Sequence, residues 1–109
     1  MSRTVAILTA AVMLLFTGAT AVASTDETVV IAERLRPAML EIEPGTTVSW
    51  RNRDDERHRV RSKDGPVRFD SKNLEPGEAF SFTFTVPGTY PYYGHRDRVD
   101  DAYFGTVVV

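Results

Sequence analysis

His58 and His95 are the only two imidazoles in a chain of 109 residues that contains no cysteine. Imidazole, carboxylate and phenol are therefore the groups with which this sequence could hold a metal ion. Asp97, Asp100, Asp101 and Tyr103 follow closely on His95 and could complete an oxygen-rich shell around a histidine pair. Two imidazoles with oxygen co-ligands suit divalent copper in a tetragonal arrangement, and zinc or nickel less selectively. The plainer readings of the same residues are a core histidine bonded to backbone and a solvated acidic loop. No Ser-His-Asp or Cys-His arrangement and no glycine-rich phosphate loop is present, so a non-enzymatic protein is expected. The carboxylates Asp54 and Asp55 stand beside arginines in a segment that reads as a solvated loop.

The elements that must position these groups are strands. Phe80, Phe82, Phe84 and Val86 alternate with Ser81, Thr83 and Thr85, the pattern of a half-buried strand. Leu40 and Ile42, Val48 and Trp50, Tyr90 and Tyr92, and Val107 and Val109 repeat the period of two. Pro44-Gly45, Pro76-Gly77, Pro87-Gly88 and Asp64-Gly65-Pro66 supply the turns between them. No segment carries a helical period beyond the N-terminal apolar run, so the expected class is all-β, a sandwich or barrel. Arg57, Arg59, Arg61 and Lys63 fall at every second position. In a strand these cations share a solvated face, balanced by Asp54, Asp55 and Glu56, while His58 and Val60 point inward. The same row could serve as a surface for an anionic partner.

Residues 1–23 read as a secretory signal: Arg3, an apolar run from Val5 to Phe16, then Ala21-Val22-Ala23. The run is short for a membrane span, which needs about 20 apolar residues. Cleavage leaves one domain, residues 24–109, exported to a periplasm or the exterior and with no membrane span. With 12 basic and 15 acidic groups its charge is about −3, which argues against nucleic acid as a partner. Lacking disulfides, this small domain depends on its hydrophobic core.

Gly88-Thr89-Tyr90-Pro91-Tyr92-Tyr93-Gly94-His95, followed by Gly105-Thr106-Val107-Val108-Val109, resembles the copper-binding end of the cupredoxins. Glu43-Pro44-Gly45-Thr46-Thr47-Val48-Ser49-Trp50-Arg51-Asn52 is similar to another strand of that family, and so are Phe69-Asp70-Ser71 and Leu74-Glu75-Pro76-Gly77-Glu78 to its connections. The resemblance implies a Greek-key β-sandwich with a copper site at one end and His58 at the position of the first histidine ligand. Without a gap, Gly94 takes the place of the ligand cysteine and Asp97 that of the second histidine. With two residues lost after Tyr93, His95 takes the second histidine's role instead. Tyr103-Phe104-Gly105 aligns with Met-x-Gly, which puts Tyr103 at the axial position. A blue site requires a thiolate, so a non-blue, type 2-like centre of His58, His95, Asp97 and Tyr103 is expected. Copper handling with a protein partner follows from the resemblance. The alternatives are an electron carrier with a redesigned copper site and a metal-free interaction module.

Overall fold

Alternating apolar residues close a two-sheet sandwich. The computed structural model describes residues 25–95 and 101–109, so the expected signal segment lies outside the described residues. The strands are β1 (Asp26–Ile31), β2 (Leu35–Arg36), β3 (Met39–Glu41), β4 (Thr46–Asn52), β5 (Arg61–Ser62), β6 (Ala79–Phe84), β7 (Thr89–Tyr93) and β8 (Phe104–Val108). One sheet has the order β2-β1-β4-β6 and the other β3-β8-β7-β5. The pairs β1–β4 and β3–β8 run parallel, and the remaining pairs are antiparallel. Gly45 and Gly77, with φ of 96° and 87°, make the Pro-Gly turns that a side chain would strain. Among the described residues no helix is long and apolar enough to cross a membrane.

The inward residues of both sheets meet around Trp50. Phe69 stacks on its indole at 5.5 Å between ring centres, and Tyr92 meets it edge-on at 5.3 Å. Val29, Ile31, Val48, Phe84, Tyr90 and Val107 fill the space around them. Each such side chain contributes about 1.5–3 kcal/mol through burial. The Tyr90 hydroxyl donates to the Val86 carbonyl at 2.6 Å, tying β7 back to the preceding turn. Burial pushes the Tyr92 phenol up to about 12, with the Trp50 indole acting in the opposite sense. Val86 departs from the expected pattern: β6 ends at Phe84, and Val86 is exposed beyond it.

The alternating cation row is only in part a strand. Regular pairing covers Arg61–Ser62 alone, and an isolated bridge joins His58 to Leu74. The parity still holds, since His58 and Val60 are buried and Arg57 and Arg61 exposed. The cations' partners differ from those expected. Arg57 pairs with Glu75 at 3.3 Å, and Arg59 makes a two-pronged bond to Asp70. That bond holds the Asp70 carboxyl far below the usual carboxylate range, against the opposing effect of burial.

Candidate metal centre

His58 reaches the core because the chain from Asn52 to His58 is pinned from inside. The buried Asn52 amide donates to the carbonyls of Glu56 and Leu74, each at 2.9 Å, while its carbonyl oxygen accepts the Asp54 N–H. Backbone bonds in both directions between His58 and Leu74 then fix the imidazole below the surface, 0% exposed. His95 leaves β7 two residues after Tyr93 and is 6% exposed. Tyr103 closes a one-turn 3₁₀ helix, Asp101–Tyr103, just before β8 and is 7% exposed.

These three rings form one cluster. Ring centres lie 5.5 Å apart for His58 and His95, 4.9 Å for His58 and Tyr103, and 5.2 Å for His95 and Tyr103. The structure thus brings together three of the four residues expected at the site. Asp97 lies outside the described residues, as does Asp100, and Asp101 is exposed. Gly94 continues the β7–β8 ladder through its N–H to the Tyr103 carbonyl at 2.6 Å, so the following residue, His95, is the one beside His58.

Leu35 closes the space beside Gly94. A Cβ on Gly94 would meet the Leu35 Cδ2 methyl at 2.8 Å, and one on Gly105 would meet Cδ1 at 2.9 Å and the Tyr92 phenol at 2.5 Å. Leu35, 3% exposed, is wedged between two glycines that make room for it. The Gly94 carbonyl accepts from His58 Nδ1 at 3.0 Å.

The residue that sequence reasoning missed is Asp54. It is mostly buried rather than solvated, and its two carboxylate oxygens gather three partners. Oδ1 accepts the Glu33 N–H at 2.9 Å, holding the turn where Glu33 has a φ of 67°. Oδ2 lies 2.6 Å from His58 Nε2 and accepts the Tyr103 hydroxyl at 3.3 Å. A carbonyl only accepts, so His58 Nδ1 is the donor to Gly94, while Nε2 faces Asp54 Oδ2. Ligand atoms of Asp54, Glu56 and His58 all fall within 4.8 Å of one another. The Asp54–His58 spacing of four positions was the one available signal, and in a charged loop it carries little weight.

The donors fit one kind of metal centre and not another. With metal–nitrogen bonds near 2 Å, two imidazoles on one ion keep their ring centres about 4.5–6 Å apart, which includes the observed separation. Imidazole, carboxylate and phenol suit a divalent ion. A thiolate-centred blue site does not fit, since no cysteine exists and Leu35 crowds the Gly94 position.

Sheet order, core and site together define a class of protein, and comparison with known proteins agrees. A family model described as a cupredoxin-like domain matches residues 5–109, and the chain belongs to that family. A purple cupredoxin from Nitrosopumilus maritimus is 31% identical with a TM-score of 0.65, covering 77% of this chain and 99% of its own. A copper(I) form of an amicyanin variant is 30% identical with a TM-score of 0.65, covering 81% of this chain and 85% of its own. A copper-containing nitrite reductase from Thermus scotoductus is 31% identical with a TM-score of 0.68. There the match covers 87% of this chain but only 24% of the reductase.

Proposed function

We propose that this is an exported copper-binding protein with a non-blue centre, used for copper binding or handling and not as an enzyme. The observation that carries the reading is the meeting of the chain's only two histidines, buried, with ring centres 5.5 Å apart. Membership of the cupredoxin-like family and the copper proteins among its structural neighbours support copper as the ion. His58 and His95 would supply nitrogen, Tyr103 and Asp97 oxygen. Copper held this way offers binding and exchange, with slow redox chemistry at most, because the thiolate is absent. Export follows from the signal-like residues 1–23, and a protein partner for copper or electron exchange follows from the family. Divalent-copper titration of the purified protein, read by electron paramagnetic resonance, tests the reading. A stoichiometric signal with nitrogen hyperfine structure is expected, and it should be lost in His58→Ala and in His95→Ala. A parent protein with no such signal would refute it.

One feature favours a second reading, a metal-free interaction module. Leu35 fills the space beside Gly94, and the Gly94 carbonyl engages His58 Nδ1, as in a core that has repacked around a lost site. That reading requires His58→Ala to change stability while leaving copper uptake unchanged.

A further inference from the structure

The two nitrogens of His58 face different acceptors, a backbone carbonyl at Nδ1 and a carboxylate at Nε2. Nδ1 is bonded to the Gly94 carbonyl, a neutral acceptor that is part of the β7–β8 ladder. Nε2 faces Asp54 Oδ2 at 2.6 Å, the Tyr103 hydroxyl is directed at that same oxygen, and ligand atoms of Asp54, Glu56 and His58 lie within 4.8 Å of one another. Asp54 therefore stands on the Nε2 side with Tyr103 bonded to it, and Glu56 belongs to the same close group of ligand atoms. Among the described residues no lysine or arginine pairs with Asp54 or Glu56, because Arg57 and Arg59 are engaged by Glu75 and Asp70.

Resting on the reading of a copper protein, we propose that the ion is held on the Nε2 side of His58, with Asp54 and Glu56 as its anionic ligands. The site then selects divalent copper or zinc over monovalent copper. Asp54 and Glu56 supply negative charge as a thiolate would, but on hard oxygens. Oδ2 and Nε2 are 2.6 Å apart, a spacing that two ligands of one ion can share given bonds of about 2 Å. Binding replaces the Nε2–Oδ2 contact by two bonds to the ion. The Glu33 N–H on Oδ1 leaves Oδ2 oriented for this role, as an outer hydrogen bond does for a metal-bound carboxylate. No soft donor competes, since Met39, the one methionine among the described residues, is 59% exposed on β3.

The test uses zinc as a diamagnetic probe on the nitrogen-15-labelled protein, with long-range nitrogen–proton spectra assigning each His58 ring nitrogen. Zinc should shift Nε2 and leave Nδ1 protonated. A zinc shift at Nδ1 instead would overturn the inference while leaving the copper reading intact. In parallel, Asp54→Asn keeps the shape and the Glu33 bond but removes the charge. It should lower divalent-copper affinity at least tenfold and leave monovalent-copper affinity within twofold. Divalent affinity within twofold of the parent would overturn the inference, and the same result for His58→Ala would overturn the copper reading too. Should Asp54→Asn not fold, Glu56→Gln, at an exposed position, takes its place with an expected loss of at least threefold.

Discussion

Replacing Gly94 by cysteine puts a thiol where the ungapped form of the family resemblance would have one, yet the packing opposes it. The new Cβ would stand 2.8 Å from a methyl of Leu35 and 3.4 Å from the Tyr103 carbonyl. Leu35 is almost fully buried and is held from its other side at Gly105, so it has little room to withdraw. Overpacking of this kind costs about 1–3 kcal/mol. Gly94 does not use a left-handed φ, so a side chain there regains about 0.4–1 kcal/mol through the unfolded state. The net expectation for Gly94→Cys is a loss of about 1–2 kcal/mol. Leu35→Ala alone opens a cavity and should cost about 2–5 kcal/mol. In the double variant the thiol enters the vacated space, so the combined loss should fall short of the sum by at least about 1 kcal/mol. Urea unfolding followed through the single tryptophan, Trp50, measures all three values. Additivity within about 0.5 kcal/mol would refute the account of Leu35 as the residue filling that space.

Two titration predictions follow from groups away from the metal donors. The Tyr92 phenol ionises near 12 in the folded protein and near 10 in the unfolded chain, so the unfolded state loses its proton first. Stability should therefore fall as pH rises above 10, by about 2.3 kcal/mol at pH 12, and Tyr92→Phe should remove that component of the slope. Equal slopes in the two proteins would refute the assignment. The depressed Asp70 carboxyl works in the opposite direction: its contribution is present above the usual carboxylate value and is lost as pH falls through its lowered folded value. Asp70→Asn should cost about 1–2 kcal/mol at pH 7 and flatten the acid limb of the stability curve below pH 4, as read by thermal melts. An unchanged acid limb would count against the Arg59 bond as its cause.

The sheets were legible because their signal is local. A period of two in Phe80, Phe82 and Phe84, or in Tyr90 and Tyr92, places side chains on one face whatever the rest of the chain does. The Pro-Gly pairs at Gly45 and Gly77 mark their own turns for the same reason. Parity also placed His58 and Val60 inward, although regular strand pairing there covers only Arg61–Ser62.

The sequence by itself determined the sandwich, the absence of a thiolate and the residues able to act as donors. Tertiary structure alone decided how those donors meet. Asp54 reads as a solvated loop residue because its partners are scattered along the chain: Glu33 lies 21 positions away, His58 four and Tyr103 49. Likewise, nothing near Leu35 in the sequence shows that it will lie between Gly94 and Gly105, which come from the opposite sheet and its adjoining loop. Strand formation depends on neighbours two residues apart. A carboxylate's burial depends on which distant donors the closed fold brings within about 3 Å of it.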